Sequence, residues 1–164
     1  MRRMPRILLA GLAIGVLSGP VAGQRPDDQI NRTSIELTRQ GQSLLAAGRF
    51  AEAHDMLETA LAVDPRNRRA FVELARVAQK QRLFGKTIRL TNKALTLEPN
   101  DLDAIEVQGE AMVELGAVPR ARQNLAKLQK LCASGCRQLS QLSAAISRGP
   151  TVAAAKPIPS PKSN

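Results

Sequence analysis

Aromatic side chains are nearly absent from this sequence of 164 residues. It contains three Phe, no Trp and no Tyr, although 43% of its residues are hydrophobic. Aromatic and β-branched side chains are enriched in strands, and large aromatic rings dominate many protein cores. Their scarcity argues against an aromatic-rich β-sandwich and favours a helical core packed from alanine and leucine.

Histidine and cysteine are equally scarce. One His and two Cys do not supply the four ligands of a structural zinc site. A catalytic centre based on histidine would have to use the single His of the chain. The sequence also lacks a glycine-rich phosphate loop, a nucleophile elbow and a paired-carboxylate arrangement. We therefore expect a protein that has no cofactor and is not an enzyme.

The N-terminal hydrophobic run is too short to cross a membrane. Residues 7–18 are uncharged and apolar, whereas a spanning helix needs roughly 20 such residues. A basic stretch, MRRMPR, precedes the run, and small residues up to Gly23 follow it. This order is that of a secretory signal peptide, and a retained membrane anchor is the alternative.

We therefore predict a signal peptide over residues 1–23 and a linker over 24–33. Arg outnumbers Lys 17 to 7, which favours a bacterial source with GC-rich codons. The expected location is the periplasm or the exterior, and no membrane span remains after cleavage.

Similar residues recur along the chain at intervals of 34. Pro65 and Pro99 are separated by this interval, and so are Gly41, Ala75 and Gly109. Within each unit, apolar residues recur at helical spacing in two bursts with a turn between them. Small residues allow two helices to approach closely, and proline ends the second helix. A fixed period of this length indicates stacked repeats.

On these registers the chain resembles the tetratricopeptide repeat (TPR) family from about residue 34 to residue 133. In the first repeat, the large and the small residues of the family pattern and the proline that ends the unit are all present. They are Leu37, Gly41, Leu44, Ala53, Leu57, Ala60 and Pro65. The second repeat departs from the pattern at Thr87 and Thr91, and the third has Ala133 where proline would stand. The predicted repeats are 34–67, 68–101 and 102–135.

The resemblance implies an all-α fold, a TPR α-solenoid of three helix-turn-helix repeats plus a C-terminal capping helix. A stack of repeats needs a cap because its last unit would otherwise expose an apolar face. The amphipathic segment 136–148 is the predicted cap and completes a TPR domain over 34–148. Residues 149–164 contain four prolines without apolar periodicity, which predicts a disordered tail.

The resemblance also implies a concave groove, lined by the first helix of each repeat, that binds a protein or peptide segment. The corresponding positions are Thr38, Gln42, Leu45, Arg69, Val72, Arg76, Lys80, Asp103, Glu106, Glu110 and Glu114. This order makes the groove apolar, then basic, then acidic. Either neighbouring helices neutralise one another through exposed ion pairs worth about 0–1 kcal/mol each, or the groove binds a segment that carries both charges.

One known partner class of the family is disfavoured. Some TPR proteins hold the carboxylate of a chaperone tail with a clamp of Lys, Asn and Arg side chains. The clamp positions of this chain are occupied by other residues: Thr38, Gln42, Glu73, Asp103 and Val107.

The two cysteines, Cys132 and Cys136, lie where the last repeat meets the predicted cap. In an unbroken helix their Cβ atoms would be about 5–6 Å apart, whereas a disulfide needs roughly 3.5–4.5 Å. Ser134-Gly135 offers a left-handed helix end that would break the helix between them. A structural disulfide is the preferred reading, and free thiols or a redox or metal site are the alternatives.

The sequence as a whole predicts an exported adaptor with an unidentified protein or peptide partner. The alternative function is a periplasmic thiol-redox or metal-handling protein that uses the cysteine pair. A third reading is nucleic-acid or anionic-surface binding through residues 66–93, where nine basic residues accompany only Glu73. Base stacking would need exposed aromatic rings, and Phe71 and Phe84 lie at core registers, so no nucleic-acid partner is expected.

Overall fold

The computed structural model describes residues 29–132 and 134–151. The predicted signal peptide, residues 24–28 of the predicted linker and residues 152–164 of the predicted tail lie outside the described residues. The described ranges contain no strand and form seven helices: α1 (Arg32–Ala46), α2 (Phe50–Val63), α3 (Arg68–Lys80), α4 (Phe84–Leu97), α5 (Leu102–Glu114), α6 (Val118–Leu131) and α7 (Arg137–Arg148).

The first helix of each repeat begins at a polar capping residue. Asn31, Asn67 and Asp101 precede α1, α3 and α5, and the side chain of each accepts a hydrogen bond from a backbone N–H in the first helical turn. Such a cap satisfies one of the N–H groups that a helix start leaves unpaired. The second helices α2, α4 and α6 begin without a capping side chain, because each follows directly from the turn before it.

The two helices of every repeat are joined by a residue with left-handed backbone. Gly48, Arg82 and Gly116 occupy this place at intervals of 34, with φ values of 74°, 60° and 74°. Glycine adopts this conformation without penalty, whereas an L-residue with a Cβ pays about 1 kcal/mol or more. The turn of the second repeat is therefore the strained one.

The helices pack as two rows. In the inner row, α1 contacts α3, α3 contacts α5 and α5 contacts α7, whereas the outer helices α2, α4 and α6 contact only inner helices. Because the inner helices contact one another and the outer helices do not, the stack is curved. The inner row therefore lines its concave side. The all-α TPR solenoid with three helix pairs and a C-terminal capping helix is confirmed.

Close helix approach explains two of the small residues in the 34-residue register. A Cβ on Gly41 would lie 2.5 Å from Cγ of Leu57, and a Cβ on Gly109 would lie 2.7 Å from Cδ1 of Leu142. Leu142 belongs to the capping helix α7 and is fully buried with Ile105 and Leu128. The cap therefore fills the apolar face that the third repeat would otherwise expose.

A disulfide joins the end of α6 to the start of α7. Cys132 and Cys136 are bonded, with their Cα atoms 5.7 Å apart. Gly135 has a φ of 87°, and its N–H donates to the Cys132 carbonyl over 2.8 Å. The helix is broken where the sequence predicted, and loop-closure entropy for so short a ring corresponds to about 2 kcal/mol of stabilisation.

We expect Arg82→Gly to stabilise the protein by about 0.5–1 kcal/mol, because glycine removes the left-handed strain at that turn. The free energy of unfolding in urea measures the change. The matched control is Gln81→Gly, one residue earlier, where φ is −83° and glycine brings only its entropic cost. Stabilisation by both substitutions, or by neither, would contradict the assignment of strain to Arg82.

Candidate functional site

The concave surface contains two hollows. The N-terminal hollow has a volume of about 340 Å³ and lies between α1, α3 and the residues before α1. The C-terminal hollow has a volume of about 420 Å³ and lies between α1, α3, α5 and α7. Together they cover the inner side of all three repeats and of the cap.

Most of the predicted groove residues line one of these hollows. The N-terminal hollow receives Thr38, Gln42 and Arg69. The C-terminal hollow receives Leu45, Arg76, Lys80, Glu106, Glu110 and Glu114. Val72 and Asp103 line neither hollow.

One row of the predicted groove residues is almost completely buried. Thr38, Val72 and Glu106 are spaced 34 residues apart, and each is at most 2% exposed. They face the contacts between neighbouring helices, and Val72 packs against Ala94 and Ala104. The close approach of the inner helices covers these side chains almost completely, although Thr38 and Glu106 still border the hollows.

A buried ion pair joins α3 to α5. Nη2 of Arg76 lies 3.1 Å from a carboxylate oxygen of Glu106 and 3.1 Å from one of Asp103. Burial raises the pKa of Glu106 above its usual value, and the Arg76 charge opposes that shift. Burial also works against the charge of Arg76, but Glu106, Glu73 and Asp103 outweigh it and raise the pKa of Arg76. The Arg76 charge therefore favours the ionised form of the buried Glu106 carboxyl against the effect of burial.

Further side-chain bonds link the inner helices on either side of this pair. Gln42 donates to Glu73 over 2.7 Å, and Gln79 donates to Glu110 over 2.7 Å. The basic and acidic bands of the inner row thus meet largely within the protein. The sequence left two interpretations of the basic and acidic bands: neutralisation between neighbouring helices, or binding of a segment with both charges. For Arg76 the first applies, because Asp103 and Glu106 neutralise it.

Asp103 extends this network to the capping helix. Its carboxylate accepts hydrogen bonds of 3.0 Å from Arg137 and from Gln138 in α7, in addition to the bond from Arg76. Asp103, one of the predicted groove residues, thus joins the second repeat, the third repeat and the cap.

The N-terminal hollow retains exposed apolar surface and positive charge. Ile35 is 54% exposed and lines the hollow together with Ile30. Arg68 at the rim is paired with Asp101. Arg69 is exposed, and its recorded contact is a 3.4 Å bond to the Gln42 amide oxygen, so its charge faces no carboxylate within the described part of the chain.

A carboxylate beneath the N-terminal hollow holds its apolar floor in place. Asp64 is buried and accepts a 2.9 Å hydrogen bond from the backbone N–H of Asn31, the residue next to Ile30. This bond is the main cause that lowers the pKa of Asp64; burial opposes it, and Arg66 adds to it.

The C-terminal hollow includes residues that the sequence did not identify. Arg82 and Phe84 reach it from the turn of the second repeat, and Arg148 and Thr151 reach it from the end of the cap. The N–H and hydroxyl of Thr151 both donate to Glu114, over 2.9 and 2.8 Å. The inner-row register could not reveal these residues, because they come from a turn and from the end of the chain's last helix.

The cysteine pair has no metal-binding surroundings in the described ranges. No group of three or more His, Cys, Asp or Glu side chains that could hold a metal ion is found in residues 29–132 and 134–151. His54 lies on α2, where its Nε2 is 2.8 Å from Nζ of Lys86. The bonded cysteines join α6 to α7, which is a structural arrangement.

None of the helices in the described residues has the length and apolar character that a membrane-spanning helix requires.

Comparison with known proteins agrees with this geometry. The sequence profile of the tetratricopeptide repeat family matches residues 44–101, and no curated protein sequence matches the chain significantly. Solved TPR structures superpose on the described fold, as the following three show.

The TPR2B domain of yeast Sti1, solved in complex with Hsp70, has a TM-score of 0.65 at 19% identity over 72% of this chain and 98% of that chain. The first TPR of Spaghetti (RPAP3), bound to the HSP90 peptide SRMEEVD, has a TM-score of 0.62 at 19% identity over 70% and 94%. The Yersinia enterocolitica type III secretion translocator chaperone SycD has a TM-score of 0.63 at 18% identity over 72% and 89%. The fold is therefore the TPR fold.

We expect Arg76→Gln to lower the free energy of unfolding by about 3–5 kcal/mol, because it leaves the Glu106 carboxylate buried without a cation. Adding Glu106→Gln should recover at least about 1 kcal/mol, since a neutral amide is cheaper to bury. Urea unfolding of the single and double variants measures both values. Lys80→Gln, at an exposed site of the same helix, is the control and should change stability by less than about 0.5 kcal/mol. A double variant less stable than Arg76→Gln would contradict this account.

We expect the contribution of Asp64 to stability to disappear in acid. Because its pKa is lowered in the folded protein, the contribution is complete above the ordinary carboxyl pKa of about 3.9 and is lost as pH falls through the folded pKa. Asp64→Asn should cost about 1–2 kcal/mol at pH 7, with the difference from wild type shrinking below about pH 4. Urea unfolding at a series of pH values measures it. Asp55→Asn, at an exposed site on α2, is the control, and a pH-independent difference for Asp64→Asn would refute the linkage.

Proposed function

We propose that this protein is an exported interaction adaptor that binds an extended segment of another protein along its concave surface. It acts by binding alone and holds its partner between the two hollows. The observation that carries the proposal is the exposed Ile35 beside the unpaired Arg69 in the N-terminal hollow. Ile30 extends this apolar surface within the hollow, and an exposed apolar patch rimmed by polar groups is typical of a recognition surface.

The N-terminal hollow fits an apolar side chain of the partner. Its volume lies within the roughly 300–1,000 Å³ of common ligand pockets, and its apolar part is formed by Ile30 and Ile35. Arg69 at its rim can donate a charge-assisted hydrogen bond to a carboxylate. The chemistry therefore favours a segment in which an apolar residue stands next to an acidic one.

The C-terminal hollow fits a polar continuation of the same segment. Lys80, Arg82 and Arg148 supply cations there, and Glu110 and Glu114 supply carboxylates. Glu114 already accepts two hydrogen bonds from Thr151. A bound segment would run towards Thr151 and would either contact it or displace it from Glu114.

Two of the similar structures were solved with chaperone-derived partners, which supports peptide binding on this fold. The chaperone-tail mode itself is not proposed, because Thr38 and Val107 occupy clamp positions and are both buried. We carry over only the general pattern of an apolar residue near acidic ones, as in the HSP90 peptide SRMEEVD.

We also propose that the protein is exported and functions in the periplasm or outside the cell. The basic, apolar and small-residue order of residues 1–23 supports export. The disulfide between Cys132 and Cys136 supports an oxidising compartment.

The test places a photo-crosslinking amino acid at Ile35 of the full chain in living bacterial cells. The control places it at Leu115, which is equally exposed at 55% against 54% but lies in the turn after α5. We expect a defined protein partner to crosslink at residue 35 only, and equal capture at both positions would refute the groove. The mass of the recovered protein also reports whether residues 1–23 have been removed.

With the partner purified, Arg69→Glu combined with Lys80→Glu should weaken binding at least about tenfold, because both side chains are exposed cations of the hollows. Arg89→Glu combined with Lys130→Glu makes the same change of charge on the outer row and should leave binding unchanged. Thermal unfolding verifies that both variants are folded. Unaltered binding of the first variant would overturn the proposed role of the hollows.

A further inference from the structure

The outer helices of the second and third repeats carry positive charge only. Helix α4 has three basic residues, Lys86, Arg89 and Lys93, and no acidic one. Helix α6 has four, Arg120, Arg122, Lys127 and Lys130, and again no acidic one. These two helices form a surface on the side opposite the concave groove, and we refer to it as the cationic outer face.

Most of these charges are exposed and unneutralised. Arg89, Lys93, Arg120, Arg122 and Lys130 are exposed, and none takes part in an ion pair within residues 29–132 and 134–151. The inner row differs, since Arg76 and Arg137 there are bonded to carboxylates. A one-sign group of exposed charges such as this one attracts a partner of the opposite charge.

Helices α4 and α6 do not contact each other, but both pack on α5 and both are hydrogen-bonded to one buried glutamine of α5. Gln108 of α5 donates to Asn92 of α4 over 2.7 Å and accepts from Asn124 of α6 over 3.1 Å. Lys93 follows Asn92 directly, and Lys127 lies one helical turn after Asn124. The bridge links the two helices that carry the cations, so the charges of both helices belong to one surface.

Exposed leucines extend the array at its C-terminal edge. Leu97 lies four residues after Lys93, and Leu131 lies four residues after Lys127, so each leucine shares a helix face with a lysine. Both leucines are exposed and occupy equivalent positions 34 residues apart. Basic side chains bordered by apolar ones are the combination that binds at a membrane–water interface.

The face has a defined boundary. The outer helix of the first repeat, α2, carries Glu52, Asp55 and Glu58, which reverses the sign of the charge. An anionic surface therefore attracts the outer helices of the second and third repeats but not that of the first. This difference gives the bound protein a defined orientation.

We propose that the cationic outer face docks on the surface of a bilayer that contains anionic phospholipids. Each Lys or Arg near such a surface strengthens binding by about fivefold. Single-stranded nucleic acid fits less well, because its binding uses exposed aromatic platforms and the only aromatic residue of α4 and α6 is the half-buried Phe84. Docking leaves the concave groove facing away from the lipid.

The experiment measures cosedimentation of the purified full chain with vesicles of phosphatidylcholine containing about 30% phosphatidylglycerol, and with vesicles of phosphatidylcholine alone. We expect binding to the anionic vesicles that weakens with added salt. Arg89→Gln, Lys93→Gln and Lys130→Gln together should reduce it on the order of a hundredfold. Vesicles of phosphatidylcholine alone report any attachment through the apolar N-terminal run.

The matched control removes the same number of charges from the concave side with Arg69→Gln, Lys80→Gln and Arg82→Gln. All three residues are exposed, and the variant should bind anionic vesicles within about threefold of wild type. An equal loss in both triple variants would show attraction by net charge alone and would overturn the proposal. Tight binding of duplex DNA or polyglutamate with no binding to anionic vesicles would also overturn it and would assign the face to that polyanion.

Discussion

The ion pair between Arg76 and Glu106 is the constraint on which the inner side of the solenoid depends. Glu106 is almost fully buried where the second and third repeats meet, and a carboxylate in such a place needs a compensating cation. Arg76 supplies it and also bonds Asp103, which in turn binds Arg137 and Gln138 of the capping helix. This one cluster thus links the second repeat, the third repeat and the cap along the concave side.

This arrangement separates the charges that hold the fold together from those that remain for binding. In the inner row, Glu106 and Asp103 neutralise Arg76, whereas Ile35, Arg69 and Lys80 of the groove remain exposed or only partly covered. On the outer row, α4 and α6 have no carboxylate at all. The formal net charge of +10 therefore has its largest uncompensated block, within the described ranges, on the side that faces away from the groove.

One molecule can use both proposed binding surfaces at the same time, because they lie on opposite sides of the two rows of helices. The inner helices contact one another and enclose the hollows, whereas the outer helices are separated, and α4 and α6 are linked through Gln108. A molecule held on a lipid surface by its outer row would present its groove to a protein partner. The disulfide at the end of α6 keeps the cap in place, and the cap forms one wall of the C-terminal hollow.

The sequence by itself determined the fold, because repeat architecture depends on local signals that recur at a fixed interval. Helix periodicity, the turn residues Gly48 and Gly116 and the helix break at Gly135 are all encoded within a few residues of where they act. The sequence also indicated which helix faces point inward. Tertiary structure decided which of those inward residues remain accessible. Thr38 and Glu106 belong to the predicted groove but are covered, because the distance between neighbouring inner helices depends on side chains 30 or more residues apart, which no local pattern specifies.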